Sequence, residues 1–215
     1  MSLPITSSQS PVLILAPHTD DGEFGCGGTI HKLRRMGREV YYAAFSACKQ
    51  SVRPEFDEDI LIHEVREATS ILGVDPNHLI LYDYNVRTFN FHRQEILEKL
   101  IELRAQIKPG LVFMPSLNDI HQDHKTIAEE GLRAFKFSSI LCYEMPWNNL
   151  NFTTTGFITL EEQDLQKKVE ALKVYQSQAH RAYANEEFVR SLARTRGVQI
   201  QSRYAETFEV LRYVG

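Results

Sequence analysis

Apolar and polar positions along the chain follow two different periods. Short, nearly continuous apolar runs at 12–16, 39–47, 79–82, 111–114 and 140–143 read as buried strands. Between them the apolar positions take helical spacing. Residues 28–36 carry Ile30 and Leu33, and 59–72 carry Leu61, Val65, Ala68 and Leu72. Residues 94–107 run through Ile96, Leu97, Leu100, Ile101, Leu103 and Ile107, and a shorter helix spans about 125–135. Gly37, Gly73 and Pro109-Gly110 close the first three helices. Regular alternation of strand and helix predicts a mostly parallel sheet with helices on both faces, an α/β fold. The last third is less regular. Trp147-Asn148-Asn149 and Thr153 to Gly156 read as loop, 161–178 and 186–196 as helices, and 208–214 as a closing strand. There is no repeat, low-complexity tract or linker, so residues 1–215 are expected to form a single domain.

Composition narrows this picture only slightly. With 215 residues, 43% hydrophobic and 24% charged, the chain can bury a core without covalent staples. A net charge of -4 gives no basic footprint, which argues against nucleic acid as a partner. Cys26, Cys48 and Cys142 are odd in number and far apart, a usage that fits a reducing cytoplasm. No C-x-x-C pair occurs, so a metal would fall to histidine and carboxylate. Residues 1–10 are polar and lack the basic start of a secretory leader, and Met1-Ser2-Leu3 reads partly as an expression remnant. No apolar run approaches membrane-spanning length. A cytoplasmic protein without membrane insertion is expected.

The chemistry concentrates where two strands end. Val12–Ala16 delivers His18, Asp20 and Asp21 directly, with Glu23 close behind and Gly25-Cys26-Gly27-Gly28 opening a helix. A dinucleotide site would need G-x-G-x-x-G immediately after the strand, and two carboxylates there would repel a pyrophosphate. Glu23 reads as a helix-start carboxylate favoured by the helix dipole. The fourth strand ends in the same manner, in SLNDIHQDH (residues 116–124). With strand order 3-2-1-4-5, strands one and four are neighbours at the point where the winding reverses, and ligands bind there. His18/Asp20/Asp21 and His121/Asp123/His124 would then share one crevice. Singly, each cluster has a plain reading as a helix cap or as surface. Jointly they supply a zinc site with two histidines and one aspartate: His18, Asp20 or Asp21, and one of His121 and His124. The remaining aspartate would act as general base on water, and the remaining histidine as acid or oxyanion donor.

The stretch A-P-H-T-D-D-G-E-F-G-C-G-G-T-I resembles the signature of the LmbE-like, or PIG-L, N-acetylglucosamine deacetylase family. Its first motif reads H-P-D-D-x-E-x-G-x-G-G-T, and its second, H-P-D-H, is matched by His121-Gln122-Asp123-His124. Similarity continues through Ile71-Leu72-Gly73-Val74, Lys168 to Leu172, Ser177-Gln178, Arg196-Gly197 and Tyr204-Ala205-Glu206. The resemblance implies a Rossmann-like fold and hydrolysis of the N-acetyl group of a glucosamine-containing small molecule, using zinc or another divalent metal. It implies His18, Asp21 and His124 as metal ligands and Asp20 as general base. It implies that His121 stabilises the oxyanion and helps the amine leave, that Asp123 orients His121, and that Tyr204 contacts substrate. A homo-oligomer is in keeping with the family. Thr19 and Gln122 replace family prolines, and Leu61 stands where many relatives carry a substrate-contacting arginine. Arg53, Arg66 or Arg87 would have to substitute. Arg87, with 82–85, follows a strand end and is expected to line the crevice. Trp147 and Tyr143 suit either a sugar-stacking wall or core packing. The rival readings are a non-catalytic, metal-containing sugar-binding protein and a metal-dependent phosphoesterase, which would want more carboxylates and phosphate-binding cations.

Overall fold

The run that begins at Val12 lies in the middle of a seven-stranded sheet, and its residues from Val12 to Ala16 have no solvent exposure. The computed structural model describes residues 9–215; residues 1–8, which hold Met1-Ser2-Leu3 and most of the polar start, lie outside them. The strands are β1 (Val12–His18), β2 (Val40–Ser46), β3 (Leu79–Leu81), β4 (Leu111–Pro115), β5 (Ser139–Tyr143), β6 (Gly156–Leu160) and β7 (Tyr204–Arg212). The helices are α1 (Asp21–Arg35), α2 (Ile60–Ile71), α3 (Arg93–Ile107), α4 (Gln122–Ala134), α5 (Glu162–Val174) and α6 (Glu186–Val198). Across the sheet the order is β3-β2-β1-β4-β5-β7-β6, so the expected 3-2-1-4-5 is present and extended by two strands. The first five strands are parallel, and β7 runs antiparallel to both β5 and β6.

Side chains of a strand alternate between the two faces of its sheet, and both faces are dry here. Val12, Ile14 and Ala16 join Ile30, Leu33, Val65 and Val169 in one core, under α1, α2 and α5. Leu13 and Leu15 face the other way and join Leu100, Leu103 and Ile127 under α3 and α4. Each fully buried aliphatic side chain of this kind stabilises the fold by about 1.5–3 kcal/mol.

The structure departs from the sequence expectation at four places. α1 starts at Asp21, immediately after the strand, and is interrupted at Cys26 (φ -147°, ψ 26°). That break leaves backbone donors without helical partners, and the Glu206 carboxylate on β7 accepts from Gly28 and Thr29 N–H at 3.0 and 2.7 Å. β6 falls in a segment that gave no strand signal, and β7 begins at Tyr204 because residues 204–208 pair with β6. α5 stops at Val174 because Tyr175 leaves the helix with its hydroxyl buried against Thr19 and Glu23. The glycines of α1 allow it to lie close to the sheet. A Cβ at Gly25 would stand 2.4 Å from the Tyr143 ring and 2.9 Å from Tyr143 Cβ, atoms that cannot swing aside.

Gly25→Ala is therefore expected to lower the unfolding free energy by about 1–3 kcal/mol through overpacking. Urea unfolding of the two proteins side by side checks this; an unchanged midpoint would mean that α1 and β5 are not in tight contact.

Candidate active site

β1 ends at His18 and α1 begins at Asp21, so one tight turn holds both side chains. Asp21 Oδ2 accepts the His18 backbone N–H at 2.8 Å and also stands 3.1 Å from His18 Nδ1. α4, which follows β4, brings His124 Nε2 to 3.1 Å from the same Asp21 oxygen and 3.2 Å from His18 Nδ1. Three donor atoms thus form a nearly equilateral triangle. Behind them each imidazole is held by its other nitrogen. His18 Nε2 meets Asp123 Oδ2 at 3.1 Å, and His124 Nδ1 meets Asp119 Oδ2 at 2.8 Å. A ring nitrogen that donates to a carboxylate leaves the opposite nitrogen with a lone pair, here aimed into the triangle.

His121 completes a group of three histidines with ring nitrogens within 4.8 Å of one another. It is the N-cap of α4, and its Nδ1 accepts the Asp123 backbone N–H at 3.2 Å. That bond puts the proton of a neutral ring on Nε2. Asp21, with edges of 3.1–3.2 Å, makes the third corner of the triangle, and His121 packs beside it, its ring centroid 4.9 Å from that of His18 and 4.8 Å from that of His124. Asp123 was expected to orient His121, but its carboxylate is 4.0 Å from His121 Nδ1 and instead bonds His18, Arg87 N–H (2.5 Å) and Phe89 N–H (3.3 Å). Asp119, which the sequence reading gave no role, bonds the His121 backbone N–H at 2.8 Å as well as His124. Its signal was a carboxylate two residues before one histidine and five before the other.

The charges respond to this crowding. Burial opposes a charged His124, yet Asp21 and Asp119 outweigh it and push the ring up to about 10. Burial would raise Asp21, but His124 and His18 hold it well below the usual carboxylate range. The pull that retains a proton on these rings is the pull that would retain a cation. His121 is lowered to about 4, by burial first and then by His124 and His18. Asp20 is raised to about 6 by burial and by Asp21. Its carboxylate faces the cavity and has no side-chain hydrogen-bond partner among the described residues. Glu23, read from sequence as a dipole-stabilised helix start, is fully buried, bonded to the Tyr42 and Tyr175 hydroxyls and pushed up to about 8 by burial. Both tyrosines also reach the Thr19 carbonyl, at 3.0 and 2.8 Å, and so hold the turn that carries Asp20.

A cavity of about 250 Å³ opens over the triangle. His18, Asp20, Asp21, His121, His124 and Arg87 all line it, as the sequence reading expected of them, while Asp123 lies beneath. Leu61 is also in its wall, 3% exposed. Arg53 pairs with Glu55 outside it, and Arg66 lines a separate groove along α2. Trp147 reaches the cavity, stacked on Tyr183 with ring centroids 3.8 Å apart; Tyr143 is core, its hydroxyl bonded to the Leu15 carbonyl. Tyr204 is not brought to the cavity: it opens β7 opposite Leu160, under the Arg203 guanidinium. Arg181 and Tyr183, from the loop after α5, are lining residues without any periodic signal in the sequence.

A family model described as GlcNAc-PI de-N-acetylase (PIG-L) matches residues 13–135, more than half of the chain. Diacetylchitobiose deacetylase of Thermococcus kodakarensis is 27% identical over 140 residues, 60% of this chain and 50% of that protein. The match therefore spans half the length of that relative. In fold, the chain is similar to N,N'-diacetylchitobiose deacetylase from Pyrococcus horikoshii, with a TM-score of 0.81 and 23% identity, covering 97% of this chain and 86% of the other. It is also similar to GalB, the 4-carboxy-2-hydroxymuconate hydratase of Pseudomonas putida KT2440, with a TM-score of 0.76 and 18% identity, covering 96% and 98%. At these identities the structural likenesses concern the fold alone.

Asp123→Ala would leave two backbone N–H groups and His18 Nε2 without their acceptor. It is expected to lose about 1–3 kcal/mol of stability for each donor left buried and unpaired, with Asp123→Asn losing less. Urea unfolding of both variants measures this, and equal stability of parent and alanine variant would dismiss the supporting role.

Proposed function

This chain belongs to the PIG-L family, and on that premise we propose that it is a metal-dependent hydrolase. Its reaction is removal of the N-acetyl group from a small N-acetylglucosamine-type sugar derivative, and residues 1–215 act as one deacetylase domain. The observation that carries this reading is the donor triangle beside an unpaired carboxylate. His18 Nδ1, His124 Nε2 and Asp21 Oδ2 stand 3.1–3.2 Å apart. Tetrahedral zinc, with bonds of ~2.0–2.1 Å, separates its ligands by ~3.3 Å, so the residues present fit the ion. Three protein ligands also leave one coordination position open, the pattern of catalytic sites. When bound, the divalent ion supplies a Lewis acid that acidifies water and polarises an amide carbonyl.

The protein's own groups divide the remaining work. Asp20, raised to about 6 and free of side-chain partners, takes the proton of the attacking water. His121, with Nδ1 held by the Asp123 backbone, offers Nε2–H to the oxygen on which negative charge develops. Surrender of that proton would leave an imidazolate. The amine therefore departs with the proton that Asp20 has taken, which modifies the expectation that His121 supplies it. Asp119 and Asp123 hold the two ligand imidazoles in the tautomers that ligation requires. A cavity of about 250 Å³ is slightly below the ~300 Å³ at which ordinary ligand pockets begin. It suits a single sugar ring with its acyl group. Among the described residues no helix is long and apolar enough to cross a membrane.

Acetate release from a panel of N-acetylglucosamine compounds tests the reading. Asp20→Asn is expected to keep its zinc while turnover falls about 10²–10⁴-fold. Release by that variant at the parent rate would remove Asp20 from the mechanism, and release from no compound by zinc-loaded parent protein would overturn the function.

Metal affinity provides a second check. Asp119→Asn is expected to weaken zinc about 10–100-fold by competition with a chromophoric chelator, since it releases the ring behind a ligand, and His124→Ala is expected to weaken it more. Unchanged zinc affinity in both would reject the ligand set.

A further inference from the structure

The run Asp20-Asp21-Gly22-Glu23 has the form of a helix start that caps itself. An aspartate at the N-cap ordinarily accepts the backbone N–H two or three residues on, and a glutamate at the third helical position reaches back to the cap. Neither happens here. Asp20 is the N-cap of α1, yet its side chain makes no cap hydrogen bond. Its backbone, at φ -100° and ψ -9°, is not extended as that of a capping residue usually is. Asn185, which does cap α6, is extended at φ -132° and ψ 154°, and its Oδ1 accepts the Phe188 N–H at 2.8 Å. Glu23 is turned inward, to the hydroxyls of Tyr42 and Tyr175.

A first-turn N–H buried without an acceptor would be strongly unfavourable. For Gly22 the acceptor is Tyr42. Its hydroxyl takes the Gly22 N–H at 3.0 Å, the bond that the Asp20 carboxylate would otherwise make. Tyr42 lies on β2 opposite Ile14 of β1 and is fully buried. The approach is close: a Cβ at Gly22 would stand 2.5 Å from Tyr42 Cε2 and 2.6 Å from its hydroxyl oxygen. A hydroxyl accepts and donates at once, so the phenolic proton stays available for the Thr19 carbonyl at 3.0 Å or for the Glu23 carboxyl. Tyr175 supplies a second proton, 2.8 Å from the same carbonyl and 2.9 Å from Glu23 Oε1. With the helix start satisfied from β2, the Asp20 side chain is released to the wall of the cavity.

We propose that Tyr42 is a positioning residue for the reaction: its hydroxyl caps α1 in place of the Asp20 side chain and so keeps that carboxylate free to act on water. This inference rests on the deacetylase reading, in which Asp20 is the base, and extends it to a residue outside both the donor triangle and the cavity wall.

The first test is turnover. Tyr42→Phe leaves the Gly22 N–H to Asp20, whose carboxylate then turns from the cavity to the helix. With the preferred N-acetylglucosamine compound, kcat is expected to fall about 10–100-fold while KM stays within about threefold and zinc affinity is unchanged. Added to Asp20→Asn, which has no base to misplace, the same substitution should lower kcat by less than about threefold. A loss through general loosening of the fold would be equal in both backgrounds. Tyr41→Phe, at the neighbouring β2 position that packs against the other core, should keep the parent kcat.

The second test needs no Tyr42 variant and decides alone where Tyr42→Phe fails to fold. Amide exchange at Gly22, followed by NMR relative to other amides of α1, is expected to change by less than about threefold in Asp20→Ala, since the acceptor is the tyrosine. A rise of about tenfold or more would make Asp20 the cap and overturn the inference. Parent-like kcat in Tyr42→Phe, or an equal loss in both backgrounds, would overturn it too. Acetate release by the parent and its loss in Asp20→Asn would then leave the deacetylase reading standing. No release from any compound by the zinc-loaded parent would sink that reading and, with it, the role assigned to Tyr42.

Discussion

Parallel pairing of β1 with β4 is the constraint on which the site depends. The two strands run in register from Val12 opposite Leu111 to Ile14 opposite Phe113. From β1 the chain crosses through α1 to β2, and from β4 it crosses through α4 to β5, in the opposite direction along the sheet. Both crossovers obey the same handedness, so their helices must lie on opposite faces. The cores reflect this: Phe24, Ile30 and Leu33 of α1 pack on one side, and Ile127 and Ala134 of α4 on the other. A crevice opens where the helices diverge, at the carboxyl ends of the strands. Into it each half sends the residues that follow its strand. Neither half alone has enough donors to hold an ion.

A crevice so close to the core brings the cost of burying charge. Asp21, Glu23, Asp119 and Asp123 are all shielded from solvent, and an unpaired carboxylate in such a position is strongly unfavourable. Each has a specific set of donors: two imidazoles for Asp21, two tyrosine hydroxyls for Glu23, and an imidazole with backbone amides for Asp119 and Asp123. Asp20 alone lacks a side-chain partner and is drawn above the usual carboxylate range. A carboxylate without a side-chain partner amid neighbours that have one is a place where the fold has not been optimised for stability, and such departures concentrate at reactive positions.

Which parts of this were legible in the sequence follows from how each is encoded. Buried parallel strands write themselves as apolar runs, so β1, β2 and β4 and the meeting of His18 with His124 could be read from local pattern and a topology rule. β6 could not. It is an edge strand of which only Ile158 and Leu160 are buried, and its partners on β7 lie 44–52 residues away in sequence. Asp119 was visible as a residue but not as a partner, because its bond to His124 depends on the turn before α4. Asp123 misled for the same reason: sequence proximity favoured His121, whereas the turn aims the carboxylate across the sheet at His18. Tyr204 was matched by motif, but its place at the start of β7 is fixed by pairing with β6. Arg181 lies in a loop held by Gln178 and Tyr183, and loops leave no periodic trace.

The triangle of donors does not by itself choose a reaction. A protein named as a hydratase shares this fold, and activation of water beside a polarised oxygen serves addition as well as hydrolysis. Selection must come from what surrounds the donors. The walls here differ in kind from one another: the Asp20 carboxylate and the His121 imidazole close to the donors, an apolar patch with Leu61, and the guanidinium groups of Arg87 and Arg181 at the mouth. Binding energy from parts of a substrate remote from the reacting bond can be used to orient that bond. A wall residue remote from the donors can therefore alter which molecule is aligned without disturbing the donors themselves. That separation lets one sheet and one pair of strand ends serve chemically related substrates of different shape and charge.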